Sequence, residues 1–206
     1  ASTPPLQNVF YSTMARATET GKIILDVLQK QQEQGTKEFT ASKSTWMAPT
    51  ALADAAPCSL IREGAVCPPV PTNSRWKPSE EQFTKDGIRA EAAFLNHVHR
   101  PLRPREPTTT TTTTTMKMTK NTTPGEASRE RDDSEPNPGS TTLLICHGNI
   151  IRYFVMRALQ LSPEAWLRTS VAHASITVLD VYEDGRCSLR ALGDSGFQPV
   201  QKVTFS

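Results

Sequence analysis

Two positions in this chain place a side chain suited to anion chemistry just past the end of a β-prone run. Arg16 follows the run Asn8–Ser12 and opens a stretch in which Ala17, Gly21, Ile24 and Leu28 repeat at helical spacing. His147 follows the apolar run Thr141–Cys146 and opens one in which Ile151, Phe154, Val155, Ala158 and Leu159 do the same. Open α/β sheets bind ligands beyond the carboxyl ends of their strands, where helix N-termini present N–H groups and positive potential. A guanidinium there is a permanently charged, forked donor for phosphate oxygens. An imidazole beside it can hold an oxyanion or move a proton. The pattern outlines a phosphate pocket. Glu63, at the mouth of an irregular loop, adds a carboxyl that could donate a proton. Each residue also has a plainer reading: a solvated Arg16, a structural, hydrogen-bonded His147, and a surface ion pair between Glu63 and Arg62.

Other titratable groups offer less. His97 and His99 lie two apart, about 200° round a helix, so they cannot share a face as metal ligands. Cys58, Cys67, Cys146 and Cys187 match neither a disulfide framework nor a common zinc spacing, even with those histidines added. Free thiols and no metal are expected. Lys and Arg number 23 against 21 Asp and Glu, a net charge of +2. So small an excess gives no field for nucleic acid or a membrane surface. Trp46, Trp76 and Trp166 read as packing anchors and not as a stacking platform.

The elements that must position these groups follow from periodicity. Thr13 is placed to cap a helix over 16–28, and Ser79, three residues before Gln82, to cap a second helix reaching His99. Phe83, Ile88, Ala92, Leu95 and Val98 would be its buried side. The Pro-rich segment Cys67–Pro78 must be irregular. Thr141–Cys146 reads as a strand buried on both faces. Asp184–Gly185 joins two strand-like runs as a hairpin. Hydrophobic residues are 36% of the 206, below the roughly 45–50% of a compact domain. The deficit points to two insertions that do not fold, 29–57 and 101–140, the latter holding Thr108–Thr115. What is left suffices for a single α/β domain over 1–206. The chain opens on Ala1 and not on Met, which predicts a truncated piece of a longer protein.

Several segments together resemble a known family. Residues 11–20 (YSTMARATET) and 145–152 (ICHGNIIR) are similar to two signature segments of the phosphoglycerate mutase-like, histidine phosphatase superfamily. Residues 60–69 (LIREGAVCPP), 86–94 (DGIRAEAAF), 163–168 (PEAWLR) and 192–197 (LGDSGF) resemble one branch of it, the mitochondrial serine/threonine protein phosphatases. The likeness implies a three-layer α/β/α sandwich with a mostly parallel sheet. It implies hydrolysis of a phosphomonoester in two steps through a phosphohistidine, without metal or other cofactor. Carried over, Arg16 binds phosphate and His147 is the second pocket histidine. Glu63 is the loop acid, and the Gly148 and Asn149 N–H groups add anion contacts. Phosphorylated proteins would be the substrates, the location mitochondrial, and self-association would run through an N-terminal region this chain lacks.

One departure stands out. The family's nucleophile lies in an Arg-His-Gly triplet on its first strand, and no such triplet occurs here; Cys146, not Arg, precedes His147–Gly148. The expected fold therefore lacks its first strand, and the expected fragment is inactive by itself. Two other functions stay open: a non-catalytic interaction protein on the same scaffold, and a phosphatase for small phosphorylated metabolites.

Overall fold

A computed structural model describes residues 6–38, 55–73, 76–98, 139–182 and 185–205, with side chains described for all but 32–38. β1 (Leu6–Ser12) is the middle strand of a parallel sheet in the order β2–β1–β3, between β2 (Ala55–Cys58) and β3 (Thr141–Ile145). Parallel neighbours need crossovers, and helices supply them here: α1 (Ala15–Glu38) leaves β1, and α2 (Glu80–His97) follows β2. Side chains alternate along β1. Tyr11 faces α1, which comes so close that a Cβ on Gly21 would sit 3.2 Å from the Tyr11 Cβ and 3.6 Å from Ile145. Phe10 faces the other way, into the core where Ala90 and Phe94 of α2 meet Ile150 and Phe154 of α3 (Gly148–Ala158). The chain thus forms an α/β/α arrangement over a parallel sheet, the fold class its sequence predicts.

β4 (Ile176–Val181) and β5 (Cys187–Asp194) form an antiparallel hairpin of their own, with α3 against both strands. Among the described residues β3 pairs only with β1. Along β3, Thr142 is exposed, Thr141, Leu143 and Leu144 are half-buried, and Ile145 alone is fully buried. The expectation of a doubly buried strand is corrected accordingly.

Three more expectations change. α1 does not stop at Leu28 but runs to Glu38, so the insertion expected over 29–57 begins inside a helix. Gln, Lys and Glu are good helix formers and need no apolar face to continue it. Ala55–Pro57 of that insertion lie in β2; 39–54 and 101–138 fall outside the described residues. Ser12, not Thr13, closes the turn into α1, its Oγ accepting the Met14 N–H at 3.3 Å. Ser79 caps α2 as expected, accepting from Gln82 N at 3.2 Å. Its buried side is Ala90, Ala93 and Phe94, with Val98 buried as expected but Ile88 and Leu95 exposed. Small residues win that face because the helix lies close: a Cβ on Gly87 would be 2.7 Å from the Val66 carbonyl oxygen.

α3 is buried on nearly every side and is the centre of the core. Its lock to α2 is polar. Glu91 accepts from Tyr153 Oη at 2.8 Å and from Arg157 Nε and Nη2 at 2.9 and 2.6 Å. Glu91→Gln keeps the shape and removes the charge. We expect it to lower the urea unfolding free energy by about 1 kcal/mol, since the pair is partly solvated. The Pro-rich segment is irregular and is held by Trp166, whose Nε1 donates to the Cys67 carbonyl at 3.0 Å and whose ring meets Trp76 edge-on at 5.6 Å.

Candidate active site

The last residues of the three parallel strands are Ser12, Cys58 and Ile145, with Ser12 in register with Cys58 and Tyr11 with Ile145. Beyond those carboxyl ends the chain turns into α1, a short 3-10 turn (Ser59–Ile61), and α3. Arg16, Glu63 and His147 each lie within a few residues of these ends, so strand register brings them to one place. Glu63 is the meeting point. Its Oε2 is 3.3 Å from Arg16 Nη2 and 3.9 Å from His147 Nδ1, and its Oε1 accepts the Asn149 N–H at 3.3 Å. Arg16 is well exposed, Glu63 partly so and His147 buried. A carboxylate here gathers a guanidinium, an imidazole and a helix-start N–H. These are the partners a phosphoryl oxygen would seek.

Asn149 therefore already spends its N–H on Glu63, and its side-chain Nδ2 donates to the Gly64 carbonyl at 3.1 Å. Gly148 opens α3 directly after His147.

His147 is 2.8 Å through Nε2 from Ser12 Oγ. That hydroxyl oxygen also accepts the Met14 N–H, so its own proton is free to go to the ring. A ring proton on Nδ1 faces the Glu63 carboxylate at 3.9 Å and leaves Nε2 to accept from the Ser12 hydroxyl. Burial, followed by the nearby charges of Arg16 and Arg89, pulls His147 down to about 4. The ring is neutral at neutral pH. Ser12→Ala would strip a fully buried hydroxyl from it; we expect a loss of about 1–2 kcal/mol in urea unfolding, with the Nε2 lone pair left unsatisfied.

Sequence reasoning missed four residues of this site. Ser12 is visible only as the last residue of a strand. Asp86 and Arg89 are an oppositely charged pair one helical turn apart. Arg152 is buried in α3 and donates to Asn149 Oδ1 at 3.3 Å; a charge inside an otherwise apolar stretch is the signal for it.

Of the cysteines, all four described are free. Desolvation pushes the Cys146 thiol, next to His147, up to about 12. Cys58 lies 3.5 Å from His97 Nε2, and no group of three or more metal-ligating side chains occurs among the described residues. His99 lies outside them.

Residues 128–195 match the profile of the histidine phosphatase superfamily (branch 1), a span that carries β3, His147 and α3. Over that segment the chain is similar to the histidine phosphatase superfamily. A likeness to curated proteins extends further along the sequence. The chain is 38% identical over 196 residues to the mitochondrial serine/threonine-protein phosphatase Pgam5 of Drosophila willistoni, covering 95% of this chain and 50% of that protein. The same figures hold for Pgam5 of Drosophila ananassae. The chain thus spans about half the length of the curated relatives it matches. A phosphoglycerate mutase crystal structure from Plasmodium falciparum superposes with a TM-score of 0.45 at 22% identity, covering 98% of this chain and 79% of that one.

Proposed function

We propose that this chain carries the phosphate-holding part of a protein serine/threonine phosphatase that works through a phosphohistidine, in mitochondria. The observation that carries the proposal is the convergence of Arg16, His147 and the Asn149 N–H on one carboxylate. The names of the Pgam5 relatives support the substrate class and the location.

In this reading Arg16 neutralises phosphoryl charge as it develops and His147 donates through Nδ1. An attacking imidazole takes the phosphoryl group from the Ser or Thr oxygen while Glu63 gives that oxygen its proton. Water then attacks phosphorus, the N–P bond breaks, and Glu63 takes a proton back. No Arg-His-Gly triplet occurs in the 206 residues, and this reading assigns the attack to an imidazole other than His147. The same absence favours a second reading, a scaffold that holds phosphate or phosphoprotein without hydrolysing it.

Calorimetric titration of this chain with orthophosphate tests the shared part. Binding that is lost in Arg16→Ala is expected; binding indifferent to Arg16 removes both readings. A chain extended upstream through the length of the relatives, assayed with a phosphothreonine peptide and a sugar phosphate, separates the rest. Turnover of the peptide supports the phosphatase, turnover of the sugar phosphate alone moves the substrate class to small metabolites, and binding without turnover supports the scaffold.

A further inference from the structure

Glu63 sits on a loop with no regular structure of its own between Arg62 and Ala65, yet its carboxylate is aimed at three groups from two other elements. Something must hold that loop. The backbone on both sides of Glu63 is bonded to one side chain of α2. Arg89 Nη1 donates to the carbonyls of Leu60 and Arg62, both at 2.7 Å, and Nη2 donates to the carbonyl of Glu63 itself at 3.2 Å. Asp86, one turn earlier, accepts from Arg89 Nη2 at 3.0 Å through Oδ1 and from the Ala65 N–H at 2.9 Å through Oδ2. The pair thus grips the main chain from Leu60 to Ala65 at four points. Both side chains are less than one-fifth exposed.

The fit leaves no slack. A Cβ on Gly64 would lie 2.4 Å from Arg89 Nη2 and 2.5 Å from Asp86 Cγ, so this position of the loop accepts only glycine while the grip is in place. Gly87 lets α2 come up to the Val66 carbonyl in the same way. A planar fork is suited to this: it reaches three carbonyls and a carboxylate at once, which a lysine ammonium cannot reproduce.

We propose that Arg89, braced by Asp86, is the positioning residue that sets the Glu63 carboxylate against Arg16, His147 and the Asn149 N–H. Arg89 touches none of the groups that would meet phosphate and acts through the loop. The inference deepens the phosphatase reading by naming what fixes its acid, but the geometry it concerns can be measured without any phosphate.

The reporter is the Asn149 backbone amide, which donates to Glu63. In a ¹H–¹⁵N spectrum of the chain its shift should move as acid protonates Glu63, and Glu63→Gln should abolish the movement. Arg16, Arg89, Arg152 and His147 are the charged and titratable groups around Glu63, and the amplitude at Asn149 is the quantity to read. Arg89→Gln is expected to remove most of that amplitude while the amides of β1 and β3 keep their positions. Arg89→Lys is expected to recover only part of it. Asp86→Asn, which keeps the side chain's shape, is expected to reduce the amplitude less than Arg89→Gln and carries the test if the arginine variant does not fold. A full Asn149 movement in a folded Arg89→Gln or Asp86→Asn protein overturns the proposal; full recovery by lysine overturns the role of the fork. Orthophosphate titration of the unaltered chain is the separate arm: no binding there removes the phosphatase reading and leaves the Asn149 result standing.

Discussion

Glu63→Gln is expected to bind orthophosphate about thirtyfold more tightly than the unaltered chain. In the proposed reading, Glu63 occupies the place that a phosphate would take. Its carboxylate takes the Arg16 guanidinium, faces the His147 ring and accepts the Asn149 N–H. A phosphate arriving there must displace it and then stay beside a like charge. Two unit charges about 4 Å apart interact by about 4 kcal/mol at an effective dielectric near 20. Glu63 is 29% exposed, so screening by water takes that to about 2 kcal/mol, or about thirtyfold. Calorimetry at pH 7 gives the comparison directly. Weaker binding in Glu63→Gln would show that the carboxylate organises the pocket more than it competes for it. In a complete enzyme the same change removes the proton for the leaving oxygen, so tighter binding and lost turnover should arrive together.

Acid should destabilise the chain through His147. An unfolded histidine titrates near 6.5, whereas burial and the two neighbouring guanidinium groups hold this one at about 4. Between those values the unfolded chain binds a proton that the folded chain refuses. The stabilisation is complete above about pH 6.5 and is lost as pH falls toward 4, with nothing further to lose below. Between pH 7 and pH 5 the cost is about 2 kcal/mol at one such group. Urea unfolding at the two pH values, for the unaltered chain and for His147→Gln, isolates it: other acid-sensitive groups act in both, so the steeper decline of the unaltered chain belongs to His147. Equal declines would mean that the ring is solvated in the folded state.

The architecture was legible because strand and helix signals alternate along the chain with distinct periods. β1, β3 and the cap on α2 at Ser79 follow directly from that alternation. So did the site's main members, since Arg16 and His147 share the strand-to-helix junction where open sheets place ligands. Faces of helices were harder. Ile88 and Leu95 looked like core by their bulk, but α2 turns its small residues inward and uses the space for Asp86 and Arg89. Hydrophobic periodicity records volume buried, and it is silent where a helix is brought close in order to hold another segment's backbone. Ser12 escaped notice for a similar reason, because its partner lies 135 residues away and only strand register brings them together.

The residue before His147 in the chain is Cys146, whose side chain packs against the hydrophobic core. At neutral pH the Cys146 thiol keeps its proton, and it is the thiolate that alkylating agents and peroxides attack. That thiol, one residue from the candidate site's imidazole, is therefore chemically quiet. If a maleimide or an oxidant reacts with the protein, the reaction should be sought at a thiol other than Cys146.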